Sequence, residues 1–188
     1  MIQLHATRKL FEKLPLNRDG LFVVTPQSAW LYEKPRLDMN PLSGWHANVV
    51  TIQRRQCVFF VHNKTRFPLV LPALTKPDFA QLNARFLDAF INTLMKCGAT
   101  PEQLNTADLY MRPLQVDTVC SRSEQGTLNR MREEFKLLLE GEHLNVSEMT
   151  GYSAAAWLAD TPRTIKGAGY VWPIKEMFAV LDRLQKVG

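Results

Sequence analysis

Five consecutive apolar residues, Cys57-Val58-Phe59-Phe60-Val61, set the strongest limit on what this chain can fold into. Side chains of a strand alternate between faces, so a run with no polar member needs apolar cover on both sides of its sheet. Such a strand lies centrally, and the rest of the chain must supply the covering layers. The flanking segments suit antiparallel neighbours. Trp45 to Ile52 is rich in Val, Thr and Ile, and Pro68 to Leu71 follows the central run. Arg54-Arg55-Gln56 and Asn63-Lys64-Thr65 are connections of hairpin length.

Two long amphipathic helices provide the cover. Thr75-Lys76-Pro77 opens one that Gly98 closes, with Phe79, Leu82, Phe86, Leu87, Phe90, Ile91, Leu94 and Met95 on its apolar face. Ser121-Arg122-Ser123-Glu124 has capping-box form and opens another, lined by Leu128, Met131, Phe135, Leu138 and Leu139 and ending near Gly141. A shorter helix follows Thr100-Pro101-Glu102-Gln103. Met1 to His5 and Leu114 to Val119 alternate as short strands, with a helix from Thr7 to Leu14 after the first. Pro15 to Ser43 carries four prolines and the turn Asn17-Arg18-Asp19-Gly20, which predicts a long surface arm or lid, parts of it packed down. Ser147 to Leu158 and Ile174 to Lys186 read as two further helices. No internal repeat or low-complexity segment interrupts this order. The expected architecture is α+β: residues 1–140 form a small, mainly antiparallel sheet packed by a long central helix, and residues 141–188 a helical C-terminal extension docked on it.

At 188 residues, with 46% hydrophobic and 22% charged residues, the chain has the size and composition of one globular domain. The longest apolar run is far short of the roughly 20 residues of a membrane span, and the N-terminus lacks a signal-peptide core. A cytoplasmic protein without membrane contact is expected. Cys57, Cys97 and Cys120 are odd in number and widely spaced, which points to reduced thiols rather than a disulfide framework or zinc site. No metal or cofactor is expected. The net charge of +5 is uneven: residues 1–100 carry 13 Lys plus Arg against 6 Asp plus Glu, whereas 101–188 carry 10 against 12. The basic character is N-terminal.

Several constellations could carry chemistry. His46 and His62 fall on one hairpin, where a three-residue loop of Gln53 to Arg55 sets them face to face. A two-residue loop of Arg54-Arg55 instead pairs His62 with Ala47 and sends His46 to the other face. Arg54 and Arg55, with Lys64 and Arg66 at the next turn, could form a basic rim, with Trp45 and Phe67 as stacking faces for bases. At the helix start, Arg122 and Ser123 offer positive charge and hydroxyl to an anion beside free backbone N–H groups, and Gly126 permits close approach. Cys120 beside that start could have a lowered thiol pKa. Ser147 to Trp157 is superficially like a helix-turn-helix, but its second helix offers Ala154, Ala155 and Ala156 where base-reading side chains would be needed. Structural roles for each group are the plainer alternatives.

Trp45-His46-Ala47-Asn48, Arg54-Arg55, Cys57-Val58-Phe59-Phe60, and Arg122-Ser123 followed by Gly126-Thr127-Leu128-Asn129 resemble a bacterial family catalogued as a domain of unknown function. Its members begin with a Met-Ile-x-Leu strand, carry Trp-x-Ala-Asn and paired basic residues, and later show Arg-Ser-x-x-Gly-Ser-Met-Asn. The last motif departs here at Thr127 and Leu128, keeping small polar and apolar character. The resemblance spans about residues 1–140 and singles out Trp45, Asn48, Arg54, Arg55, Arg122, Gly126 and Asn129, but brings no activity with it.

From these observations the leading expectation is a binding or regulatory module for an anionic ligand or partner, a phosphate-containing small molecule or nucleic acid. The ligand would be held by Arg54, Arg55, Arg122, Ser123, Gly126, Asn129, Trp45 and Asn48. The alternative is an enzyme acting on a phosphorylated or nucleic-acid substrate with His46, His62 or Cys120 in acid–base chemistry. A DNA-binding regulator using the C-terminal helices is the third reading, and a protein partner is compatible with any of them.

Overall fold

The computed structural model describes residues 1–35, 40–165, 167 and 169–186, so residues 36–39 of the expected arm and the chain end at 187–188 lie outside the described residues. Strands β1 (Ile2–Ala6), β2 (Trp45–Ile52), β3 (Arg55–His62), β4 (Pro68–Leu74) and β5 (Leu114–Asp117) form one sheet in the order β4-β3-β2-β1-β5. The hairpins expected over the apolar run are present: β2, β3 and β4 pair antiparallel. β1 adds a parallel half, pairing with β2 on one side and β5 on the other, so the sheet is mixed.

Both faces are covered, as the apolar β3 demands. On one face, Ile2, Leu4, Ala6, Trp45, Ala47, Val58, Phe60 and Leu69 share a core with the helices that follow β1 and β4. These are α1 (Arg8–Phe11), α2 (Ala29–Glu33), α3 (Lys76–Ala80), α4 (Leu82–Lys96) and α5 (Pro101–Tyr110). The helix expected from Thr75 to Gly98 is therefore two, since Gln81 leaves helical geometry at φ −102° and ψ 12°. Thr100 and Gln103 cap α5 reciprocally, at 3.2 Å and 3.0 Å. On the other face, α6 (Arg122–Gly141) lays Leu128, Met131, Phe135 and Leu139 on Val50, Ile52, Cys57, Phe59 and Val61. Phe59 and Phe135 meet edge to face at 5.5 Å.

The C-terminal segment carries α7 (Gly151–Ala159), a hairpin of β6 (Arg163–Ile165) and β7 (Gly169–Val171), and α8 (Pro173–Gln185). It is continuous with both cores. Ala154, Ala155 and Leu158 of α7 join the α6 side, while Ala159 and the α8 residues Met177, Val180 and Leu181 join the other. A Cβ on Gly151 would stand 2.1 Å from the Val70 carbonyl oxygen, so glycine lets α7 seat directly on edge strand β4. That placement covers the edge and buries Ala154 and Ala155 of the would-be recognition helix, with Ala156 half-buried.

The β2–β3 turn is made by Gln53 and Arg54, both left-handed at φ +48° and +64°, the geometry of a two-residue hairpin. Ile52 therefore opposes Arg55, His62 opposes Trp45, and His46 opposes Val61. Neither loop considered from sequence is formed. A register one residue away suffices to reverse the face of a side chain: His46 and His62 lie on opposite faces of the sheet, and no dyad joins them.

Candidate functional site

The parity that buries Ile2, Leu4 and Ala6 in one core turns Gln3 and His5 to the α6 face. The same alternation turns Gln115 and Asp117 there from β5, and His46 and Asn48 from β2. Parallel pairing sets His5 between its register partners Asp117 and His46. Polar side chains from three adjacent strands thus gather at the carboxyl ends of β1 and β5. The helices after these two strands leave toward opposite faces, the kind of position where open sheets hold ligands.

His5 Nδ1 lies 2.7 Å from Asp117 Oδ1, and because a carboxylate only accepts, Nδ1 is the donor. Gln3 Nε2 donates to Asp117 Oδ2 at 2.9 Å, and the Val119 N–H donates to Oδ1 at 2.9 Å, so the carboxylate is fixed from three sides. The His5 and His46 rings stand 4.7 Å apart, tilted by 40°. His46 is only 5% exposed, and its buried Nδ1 has no hydrogen-bond partner among the described residues. Burial, with His5 beside it, brings its pKa down to about 4, so the ring is neutral at pH 7. Asn48 Oδ1 accepts from the Thr7 hydroxyl at 2.9 Å. A hollow of about 420 Å³ opens beside Asp117, walled by Gln3, Gln115, Arg18 and Asp19 among others.

The first turn of α6 is occupied from within the protein. Arg66, left-handed at φ +57° and 2% exposed, forms an ion pair with the Glu124 carboxylate and donates from Nη2 to Ser123 Oγ at 2.8 Å. Although burial works against it, hydrogen bonds from Ser121 and Arg66 hold the Glu124 carboxyl below its usual range. The Ser121 side chain makes no cap bond to the helix backbone. Arg66 therefore belongs to no basic rim, and Ser123 and Glu124 face an internal guanidinium.

The other residues singled out from sequence are dispersed. Arg54 and Arg55 are exposed at the β2–β3 turn, while Arg122 stands exposed at the start of α6. Thr51, Ile52 and Gln53 border Lys136, Leu139 and Glu140 near the end of that helix. Twenty helical residues span about 30 Å, so the three arginines do not converge on one helix tip. Trp45 is buried among Phe86 and Phe90 with Nε1 donating to the Leu42 carbonyl at 2.8 Å, and Phe67 is buried too. Neither offers a base a stacking face. His62, fully buried beside Trp45, uses both ring nitrogens, on Thr65 Oγ1 at 2.9 Å and the Ser43 carbonyl at 3.1 Å. Burial brings its pKa to about 4. Desolvation, then Asp117, raises the Cys120 thiol above its usual value, the opposite of activation. Gly126 and Asn129 are exposed, and a Cβ on Gly126 would meet nothing within 4 Å. Among the described residues no group of His, Cys, Asp and Glu has the arrangement of a metal site.

Gln3, His5, Asp117 and Glu124 are not among the site residues expected from sequence, and Arg66 is expected there only as part of a basic rim. The available signal was that residues 2–6 and 114–117 alternate with polar members on one face, which is unusual for strands that pack on both sides.

These features define a three-layer α+β protein with a mixed sheet and a polar histidine–aspartate cluster at its parallel end. Residues 3–176 match the family described as domain of unknown function DUF6933, and the chain belongs to that family. The match runs past residue 140 and takes in α7, the β6–β7 hairpin and the start of α8. No curated protein matches the chain.

Proposed function

We propose that the chain is an enzyme of the histidine acid–base class, with His5 as the proton-transferring group, Asp117 as its orienting partner and His46 beside it. The observation that carries this reading is the Asp117–His5 hydrogen bond at 2.7 Å against a buried His46 whose Nδ1 has no partner among the described residues. With Nδ1–H held by the carboxylate, the Nε2 lone pair of His5 accepts a proton from a substrate hydroxyl or from water, Asp117 stabilises the imidazolium, and the ring then returns the proton to the leaving group. A neutral His46 adds no competing positive charge. The hollow beside Asp117 is lined by Arg18, Asp19 and Asp117 and not by His5 or His46; it adjoins the cluster through Asp117, and its balanced charge suits a small polar substrate better than a nucleic-acid backbone.

Turnover of a panel of phosphate and carboxylic esters should detect the activity. His5→Gln should lower kcat about 100-fold or more, within the usual range for general acid–base groups, and Asp117→Asn, which takes the carboxylate from His5 Nδ1–H, should lower kcat as well. Turnover unchanged in both variants, or none on the panel together with no ligand-induced shift of the His5 imidazole resonances, would overturn it.

A further inference from the structure

At the far end of the sheet from His5, a cleft of about 590 Å³ lies under the β2–β3 turn. Its walls come from three segments: Lys13 after α1, Arg54 and Arg55 at the turn, and Lys76 opening α3, over a floor of Leu74 and Phe79. Glu12 is the one carboxylate among its lining residues, and it accepts from Arg8 Nε at 3.0 Å. Among the described residues none of the four cations has a carboxylate within ion-pair distance, and Lys13 Nζ stands 5.8 Å from the Phe79 ring centroid. Asp78, close by in sequence, is taken by Thr75 and Arg85. Four like charges around one concavity repel one another, and a bound polyanion relieves that repulsion while low-dielectric walls focus the field. The volume is that of a small-molecule site.

We propose that this cleft binds a small polyanion, a phosphate ester or polyphosphate with at least two negative charges, at a site separate from the histidine cluster. The phosphates meet Arg54, Arg55, Lys13 and Lys76, and the apolar floor receives an organic body when the ligand carries one.

Isothermal titration of the full chain with ATP and with inorganic triphosphate tests this. Saturable binding is expected, weakening as salt rises, with ATP tighter if the floor is used. Arg54→Glu with Lys76→Glu should weaken binding at least tenfold. Lys175→Glu with Arg183→Glu on α8, an equal change in net charge outside the cleft, should leave it unchanged. Equal loss in both double variants would mean diffuse attraction to a basic protein and would overturn the site, as would no saturable binding of either probe at millimolar concentration. His5→Gln should bind both probes normally, so this outcome and that of the acid–base assays are read independently.

Discussion

Arg66 and Glu124 show how strongly single side chains constrain this molecule. Removing one member of a buried, hydrogen-bonded ion pair strands the other, which typically costs about 3–5 kcal/mol, whereas replacing both with apolar groups is far milder. Arg66→Ala should therefore lower the free energy of unfolding in urea by about that amount, and Arg66→Met combined with Glu124→Leu should recover most of it. His46 and His62 set the acid limit. Both are held near 4 in the folded protein, below the ordinary 6.5, so between these values the unfolded chain binds more protons than the native one. Stability is accordingly complete above about pH 6.5 and falls as pH drops toward 4. Each histidine contributes a slope of up to about 1.4 kcal/mol per pH unit. Urea titrations at several pH values should show this decline, and His62→Gln, whatever its cost at pH 7, should make it shallower.

At the scale of elements, the β2–β3 turn carries two non-glycine residues in the left-handed region. Such residues cost of order 1 kcal/mol each relative to glycine. Arg54→Gly should therefore raise stability by about 1 kcal/mol in thermal or urea unfolding. The same change should weaken polyanion binding, a separation of effects that a general structural role for Arg54 would not produce. Gln53 acts differently: its side chain donates to the Leu144 carbonyl at 3.1 Å and accepts from the Val146 N–H at 2.7 Å, tying the turn to the segment after α6. Gln53→Ala should cost about 1–2 kcal/mol, and hydrogen exchange at Val146 should accelerate. The strands of the five-stranded sheet and α6 follow from periodicity, and α5 from its capping box, because these are local properties; the β6–β7 hairpin, in a stretch that reads only as a join between two helices, does not. Nor do the break at Gln81 and the register at Gln53–Arg54, because several turns of similar length satisfy the same hydrophobic pattern.

Across the whole molecule, α8 shares its core with β1 although the two are more than 160 residues apart in the chain. A chain ending at Asp160 removes Met177, Val180 and Leu181 from that core, and its circular-dichroism melt should have a lower midpoint and a broader transition than that of the full chain. Gly151→Ala drives a methyl into the Val70 carbonyl, and should lower the melting temperature by several degrees by lifting α7 from β4. The central apolar strand, its antiparallel partners and the need for helices on both faces followed from residue order alone, since alternation and amphipathic spacing act over a few neighbours. Which polar groups meet did not. His46 and Asn48 were visible candidates, but their companions His5 and Asp117 arrive through parallel pairing of β1 with β2 on one side and, on the other, with β5, over 100 residues away in the chain. The arginines that looked like one patch were separated by the length of α6. Pairing partners, register and the course of a helix across a sheet depend on how the entire chain buries its apolar surface, and no local stretch of residues carries that information.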